Sequence, residues 1–236
     1  MCGRYSLAPT EFSEIQLEFQ VAGMESEPAP RYNIAPSFGP GHEPPIVLQS
    51  SNGARQLRLA RWWLIPGYWR RPLQALPTAF NARAEELGSK RFWSTSFEKR
   101  RCLVPATGWR EFSGPAGQRQ PHHFHYQKPL FAFAGIWDEW MSPEGIRVPS
   151  FAIITVPAND VVRPVHDRMP LRVEPEQHAR WLDPAVPGAE ALATARAAAA
   201  PPLSEHPCDP AGNDVRREGP DVIAPVRRRQ LDLFGG

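Results

Sequence analysis

Four side chains with complementary chemistry are spread along the sequence: Cys2, Asn81, Glu111 and His166. Cys2 directly follows the initiator methionine, at a terminus where order is hard to maintain and a buried structural cysteine is not expected. If Met1 is removed, Cys2 carries a free α-amine and a thiol on adjacent carbons. An aldehyde reacts with both groups, because the amine forms an imine and the thiol then closes a five-membered thiazolidine ring. The alternative from position alone is that Cys2 is incidental.

Aldehyde capture at Cys2 needs proton donors and an anchor for the terminus. Ordinary pKa values of about 8 for the amine and about 8.5 for the thiol leave both groups reactive near neutral pH. In GWREF, apolar neighbours would raise the pKa of the Glu111 carboxyl and suit it to acid catalysis. His166 in VHDRMP is a candidate proton shuttle, and Asn81 in NARAE is a candidate polar anchor. Taken singly, each residue has an ordinary alternative as an ion-pair or core partner.

Composition bounds the class of protein. The chain has 236 residues, 42% of them hydrophobic and 22% charged, which is typical of one sizeable soluble domain. Three scattered cysteines argue against a disulfide framework or a cysteine-based zinc site and favour a reducing, cytoplasmic compartment. No apolar run reaches a membrane-spanning length, and no signal peptide is evident. His123 and His125 alternate in HHFH, but no third ligand is evident, so neither a metal nor another cofactor is predicted.

The charge is unevenly distributed although its net value is only +2. Residues 55–128 hold eleven arginines and three lysines against four glutamates and no aspartate. A basic middle section is typical of a protein that binds a polyanion, and the alternative is an ordinary solvated surface.

The elements that must position these residues are short. PTEFSEIQLEF predicts an amphipathic helix with Thr10 as its N-cap, and Asn52-Gly53 predicts the turn of a hairpin. RCLVPATGWREF predicts strand, turn and strand, and HHFHY, FAFAGIW and SFAIITV are further strands. PEQHARWLD and GAEALATARAAAA are helical by pattern. The fold class is therefore α+β: a single domain of short, mostly antiparallel, twisted strands with a barrel-like core and flanking helices.

Seven segments occur in one order: MCGR, RYNIAP, NARAE, RCLVPATGWREF, FAFAGIW, ITVPAN and HDRMP. Together they resemble the SOS response-associated peptidase (SRAP) family, over the domain 1–226. The resemblance implies that Met1 is removed by self-processing and that Cys2 forms a thiazolidine crosslink with an abasic site in single-stranded DNA. It implies that Asn81 orients the new terminus, that Glu111 is the general acid–base group, and that His166 helps to open the sugar ring.

The same resemblance implies a set of residues that contact the DNA. Arginines suit phosphate through their forked donors, and exposed aromatic rings suit base stacking. The DNA-binding residues expected in this way are Arg4, Asn33, Pro36, Tyr68, Trp69, Arg83, Thr155 and Arg168. Two departures from the family pattern lie nearby: Trp62-Trp63 replaces a usual Trp-Gly, and the loop from Trp69 to Asn81 is longer.

The last residues, 227–236, are predicted to form a flexible tail. They contain Gln230, Leu231, Asp232, Leu233 and Phe234, a match to the pentapeptide that binds the bacterial sliding clamp. Leu233 and Phe234 would fill an apolar pocket while Gln230 anchors a polar rim. The alternative is that the segment packs back onto the domain as a last strand.

The function predicted from the sequence is a covalent sensor of abasic sites in single-stranded DNA. The clamp would recruit it to bacterial replication forks, and the same imine would allow weak strand-cleaving lyase activity. One alternative is a thiol peptidase or amidohydrolase with Cys2 as N-terminal nucleophile. Another is a non-catalytic, clamp-tethered DNA-binding module. No membrane association is expected, and nothing in the sequence demands more than a monomer.

Overall fold

The computed structural model describes residues 2–21, 29–37, 39, 43–50, 52–199 and 201–226. The predicted tail and its clamp-binding motif lie outside these residues. No helix in the described ranges is both long enough and apolar enough to cross a bilayer.

Short strands make up most of the regular structure. In chain order they are β1 (Arg4–Leu7), β2 (Arg31–Ile34), β3 (Pro45–Gln49), β4 (Arg55–Leu59), β5 (Arg61–Trp62), β6 (Asn81–Arg83), β7 (Arg101–Ala106), β8 (Gly108–Ser113), β9 (Gln120–Tyr126), β10 (Phe131–Met141), β11 (Arg147–Pro157), β12 (Arg168–Pro170), β13 (Arg172–Val173) and β14 (Leu203–Pro207). The apolar runs of β7, β10 and β11 match strands that are buried on both faces.

The helices are also short: α1 (Phe12–Phe19), α2 (Arg91–Lys99), α3 (His178–Leu182) and α4 (Gly188–Ala197). Single 3-10 turns occur at Leu73–Ala75, Ala84–Glu86, Pro175–Gln177, Pro210–Asn213 and Pro220–Val222. In α1, Phe12, Ile15 and Phe19 are buried, as the amphipathic pattern predicts. The helix begins one residue later than predicted, because Glu11 rather than Thr10 is the N-cap and its N–H donates to the Glu14 carboxylate (3.0 Å).

Two sheets carry the fold. The first has the order β14-β9-β8-β1-β2, and the second has the order β12-β11-β10-β7-β3-β4. In the second sheet β13 pairs with β10, and β5 and β6 lie parallel to β11. The remaining pairs are antiparallel. The α+β class is therefore confirmed, with the barrel-like core taking the form of two sheets that do not close into one barrel among the described strands.

Aromatic side chains fill the space between the sheets. Trp109 from β8 stacks on Phe124 from β9 (ring centroids 5.3 Å apart) and meets Phe133 from β10 edge-on (5.8 Å). Tyr5 from β1 packs in the same way against Trp62 (5.1 Å). Edge-to-face pairs of this kind add about 0.5–1.5 kcal/mol beyond simple burial. The strand-turn-strand RCLVPATGWREF crosses between the layers, since β7 belongs to one sheet and β8 to the other.

Candidate active site

Cys2 is held between the two sheets by the strand that follows it. β1 pairs with β8, with Arg4 opposite Arg110, so the residues before Arg4 lie beside the part of β8 that carries Glu111. β6 comes from the other sheet, and its first residue, Asn81, lies opposite Ile153 of β11. The Asn81 amide donates through Nδ2 to the Cys2 carbonyl oxygen over 2.6 Å. This buried contact joins the sheets and fixes the position of the terminus.

Cys2 and Glu111 are both buried, with 0% and 2% of their surfaces exposed. Burial raises the pKa of the Cys2 thiol well above its usual range, and the charge of Glu111 acts in the same direction. Burial also raises the pKa of Glu111 to about 7, with a further contribution from Asp167. The apolar neighbours in GWREF therefore have the predicted effect, and Glu111 is a carboxyl able to give and take a proton near neutral pH.

His166 lies in the loop before β12, next to Asp167, whose charge acts on Glu111. Burial lowers the pKa of His166, so the ring is neutral near pH 7. Its Nδ1 then accepts the Arg168 backbone N–H over 3.0 Å, and the proton of the ring sits on Nε2. The approach of Nδ1 to the Asp167 carboxylate (2.9 Å) becomes an ion pair only when the ring is protonated. Asn81, Glu111 and His166 are thus all brought to the same end of the molecule as Cys2.

Arg168 occupies the same end, but its guanidinium is engaged. Its Nη1 and Nη2 donate to the two carboxylate oxygens of Glu85 (3.1 and 2.8 Å), and Nη2 also donates to the Thr155 carbonyl (2.6 Å). Glu85 is a partner that the sequence analysis missed, because the pair joins residues 83 positions apart. Arg83, opposite Thr155 on β6, has an exposed side chain. The Thr155 hydroxyl is buried and has no hydrogen-bond partner among the described residues.

A groove of about 250 Å³ lies on the outer side of β2, and three of the predicted DNA-binding residues line it: Arg4, Asn33 and Pro36. Arg4 Nη1 donates to the Gly3 carbonyl over 3.0 Å. The Asn33 amide is engaged inside the protein, since it donates to three carbonyls of the 212–217 segment and accepts from Arg110. Asn33 therefore shapes this groove by holding its wall in place.

Tyr68 and Trp69 differ in their surroundings. Tyr68 is 44% exposed, with the Arg91 guanidinium over its ring at 5.5 Å. Trp69 is half-buried, packs edge-on against Phe92 (6.4 Å), and borders a larger cavity of about 920 Å³ at the tip of the β10–β11 hairpin. Val148, in the wall of this cavity, and Thr155 are seven positions apart along β11, a span of about 23 Å. This cavity is thus distinct from the Cys2 site, and Tyr68 has the more accessible ring.

The departure from the family pattern at Trp63 has a local structural role. Its indole Nε1 donates to the Pro77 carbonyl over 3.1 Å, and its ring contacts Phe80 (5.2 Å). Trp62 is buried and donates to the Phe80 carbonyl over 2.8 Å. Both indoles therefore hold the returning end of the 63–80 loop close to Asn81.

Comparisons with known proteins identify the family. The family described as SOS response associated peptidase (SRAP) matches residues 1–215. The chain is 32% identical to the abasic site processing protein YoqW of Bacillus subtilis, over 78% of this chain and 81% of that protein. It is 26% identical to the abasic site processing protein YedK of Escherichia coli, over 96% of this chain and 100% of that protein.

Among solved structures, a protein from Bacteroides thetaiotaomicron shares the fold with a TM-score of 0.81 at 21% identity, covering 96% of this chain and 100% of that chain. The order of the seven sequence segments, the meeting of Cys2, Asn81 and Glu111, and the match over residues 1–215 lead to one assignment. The chain belongs to the SRAP family.

Proposed function

We propose that this protein captures abasic sites in single-stranded DNA covalently through Cys2 after Met1 is removed. The observation that carries the proposal is the buried Cys2, whose carbonyl oxygen accepts from Asn81 over 2.6 Å beside a carboxyl whose pKa is about 7. YoqW and YedK, which are similar to this chain, are both described as abasic site processing proteins.

The first step joins the α-amine of Cys2 to the aldehyde carbon of the ring-opened sugar. Asn81 holds the Cys2 carbonyl, and its own Oδ1 is buried without a hydrogen-bond partner among the described residues. A buried acceptor of this kind is costly to leave unsatisfied, and the Cys2 amine would gain an N–H suited to it when Met1 is removed. Asn81 therefore orients the amine from two sides of one amide group.

Glu111 completes the proton balance. Protonated Glu111 gives its proton to the hydroxyl that leaves the carbinolamine as water, and the C–O bond breaks as the iminium ion forms. The resulting carboxylate then takes the proton of the Cys2 thiol as sulfur attacks the iminium carbon, which leaves the ring nitrogen neutral. Because burial and Glu111 together raise the thiol pKa, the thiol needs this base. The net reaction consumes amine, thiol and aldehyde and releases one water, and Glu111 ends protonated as it began.

His166 and the arginines prepare the substrate. An abasic sugar is mostly a closed hemiacetal, so its ring oxygen must gain a proton before the aldehyde appears. Neutral His166 carries a proton on Nε2 because its Nδ1 is occupied by the Arg168 N–H. The exposed Arg83, and Arg4 in the groove that it lines with Asn33 and Pro36, supply cations for the flanking phosphates. Tyr68 offers the exposed ring for a base, worth about 1–3 kcal/mol.

The test is a single-turnover reaction with a single-stranded oligonucleotide that carries one abasic site, analysed on a denaturing gel without reductant. A shifted band is expected for the wild type. Cys2→Ser and Cys2→Ala keep the amine and lose the thiol, so they should form an imine that is seen only after borohydride trapping. Intact mass should show that Met1 is absent from the active protein.

Controls separate this reaction from its alternatives. An N-terminal extension should abolish both the stable and the trapped band, because it removes the free amine. Cys102→Ala, which removes a buried thiol in β7, should still form the stable band. DNA binding without any crosslink would indicate a non-catalytic module, and turnover of peptides that depends on Cys2 would indicate a peptidase. Weak lyase activity would appear as a cleaved strand in the same gel.

We propose separately that the tail recruits the protein to a bacterial sliding clamp. The pentapeptide Gln230 to Phe234 carries this proposal, together with three arginines just before it that suit DNA threaded through the clamp. A Leu233→Ala/Phe234→Ala variant should lose binding to the clamp in a pull-down while it still crosslinks abasic DNA at the wild-type rate. Equal clamp binding by the variant and the wild type would refute the recruitment.

A further inference from the structure

Three histidines from two neighbouring strands form a cluster away from Cys2. His123 and His125 alternate along β9, and β14 adds His206 directly opposite His123. One potential ligand nitrogen from each of the three lies within 4.8 Å of the others. The three ring centroids are separated by 5.3 to 5.5 Å, close to an equilateral triangle. The strand pairing therefore provides the third ligand that residues 122–125 alone do not show.

His123 is the buried member of the cluster. Only 4% of its surface is exposed, and neither ring nitrogen has a hydrogen-bond partner among the described residues. Buried polar groups in folded proteins are nearly always satisfied, so an imidazole with two unsatisfied nitrogens calls for a partner that the protein atoms do not supply. A metal ion is a partner suited to an imidazole lone pair.

The neighbouring backbone makes room for this imidazole. A Cβ placed on Gly108, in β8, would lie 2.2 Å from His123 Nε2. Any other residue at position 108 would therefore displace the ring. Because Gly108 has no side chain, the His123 imidazole can lie against β8 in its buried position.

The other two imidazoles are oriented by carbonyl groups. His206 Nε2 lies 2.8 Å from the Ile223 carbonyl oxygen, and His125 Nδ1 lies 3.4 Å from the Tyr126 carbonyl oxygen. Each of these ring nitrogens donates its N–H, which leaves His206 Nδ1 and His125 Nε2 with a lone pair. Histidines that ligate metals in proteins are commonly held by such a carbonyl at the second ring nitrogen.

We propose that His123, His125 and His206 bind one Zn²⁺ ion and so attach the C-terminal strand β14 to β9. Three imidazoles and one open position are a common zinc ligand set. Tetrahedral Zn–N bonds of about 2.1 Å place ligand nitrogens about 3.4 Å apart, so the rings close inward on binding. His125 and His206 are half-buried, so solvent can reach the site.

The neighbouring Arg110 does not occupy this site. Arg110 lies opposite His123 across β8 and β9, but its guanidinium donates to the Gly212 carbonyl (3.0 Å) and to Asn33. Its charge is therefore already solvated by protein oxygens. The site also lies on the other face of β8 from Glu111, the residue next to Arg110 in the strand, since successive side chains of a strand point to opposite faces.

The test uses the full chain without a histidine tag, after treatment with a chelator. Equilibrium dialysis against Zn²⁺ should give one bound ion per chain, and Co²⁺ should give the intense visible absorption of a tetrahedral site. His125→Asn and His206→Asn change half-buried positions and should each weaken Zn²⁺ binding at least about 100-fold. Zn²⁺ should raise the melting temperature of the wild type and not that of these variants.

Two control variants make the result specific. His122→Gln changes the adjacent residue of β9, which is engaged with Ser113 and Glu205 instead of the cluster, and should bind Zn²⁺ like the wild type. A free N-terminal cysteine can itself chelate Zn²⁺, so Cys2→Ala tests whether the bound ion lies at Cys2. This variant should retain Zn²⁺ binding. The proposal would be overturned if the wild type bound no stoichiometric Zn²⁺, if both His→Asn variants bound it like the wild type, or if Cys2→Ala lost it.

Discussion

Glu111 offers the sharpest test of the proposed chemistry, because its pKa determines how much acid is available. With the ordinary pKa of 4.5, about 0.3% of the carboxyl would be protonated at pH 7, whereas with a pKa of about 7 about half is. Burial therefore increases the population of the acid roughly 150-fold at this pH. This larger population of protonated Glu111 is present only while the carboxyl stays buried.

The pH dependence follows from two groups with opposite requirements. The α-amine of Cys2 must be neutral, so crosslinking rises about tenfold per pH unit below an ordinary amine pKa of about 8. Glu111 must be protonated, so the rate is lost as pH rises through about 7. The crosslinking rate follows the product of two fractions, that of neutral amine and that of protonated Glu111. Its pH profile is bell-shaped, with a maximum near pH 7.5 and a falling limb above pH 8.

The perturbation is Glu111→Gln, assayed as single-turnover crosslinking from pH 5 to 10 with protein in excess over abasic DNA. The variant should be slower by about 10²–10⁴-fold at pH 7.5 and should lose the falling limb, leaving a rate that levels off at high pH. Glu86→Gln, which changes a half-buried partner of Lys90, is the matched control and should keep the bell-shaped pH profile of the wild type. A Glu111→Gln variant within threefold of wild type, or one that retains the same falling limb, would refute the assignment.

Three further outcomes are expected. Relative to Glu111→Gln, the wild type should lose about 3 kcal/mol of unfolding free energy between pH 4.5 and 8, because a carboxyl with a raised pKa stabilises the fold only while it is protonated. Urea denaturation of both proteins at pH 5 and pH 8 measures the loss. An equal difference in unfolding free energy between the two proteins at both pH values would contradict it. Asn81→Ala should slow crosslinking roughly 5- to 150-fold, the value of a buried hydrogen bond of about 1–3 kcal/mol, and an unchanged single-turnover rate would count against the anchor. Glu85→Gln removes the carboxylate that pairs with the Arg168 guanidinium and should tighten binding of undamaged single-stranded DNA. In fluorescence anisotropy, the plot of log binding constant against log salt concentration should be steeper by about 0.7. Weaker binding would instead mean that Glu85 positions Arg168.

Local pattern was sufficient for much of the fold. The apolar spacing in α1 and the Asn52-Gly53 turn between β3 and β4 both depend on neighbours in sequence, and both predictions are confirmed. The assignment of strands to sheets was not accessible in this way. RCLVPATGWREF predicts strand, turn and strand, but that pattern does not show that β7 and β8 join different sheets, because each pairs with strands far away in the chain.

The site shows the same division. A carboxyl between Trp109 and Phe112 indicates a raised pKa from sequence alone, and the structure agrees. The ion pair of Arg168 with Glu85 and the approach of His206 to His123 depend on pairings between distant segments, so no local signal predicts them. Asn33 was expected to contact DNA, and the buried bonds that its amide makes to the 212–217 segment were equally invisible in RYNIAP.

Both ends of the long loop between β5 and β6 are attached to the same strand. Trp62 lies opposite Phe151 of β11, and Asn81 lies opposite Ile153, only two positions further along. The place of Asn81 is therefore set by its register on β11 and not by the number of residues in the loop. Closing a flexible loop of doubled length costs only about 0.6 kcal/mol. Insertions between residues 63 and 80 can thus remodel the surface around Tyr68 during evolution while the Asn81 amide stays where it is.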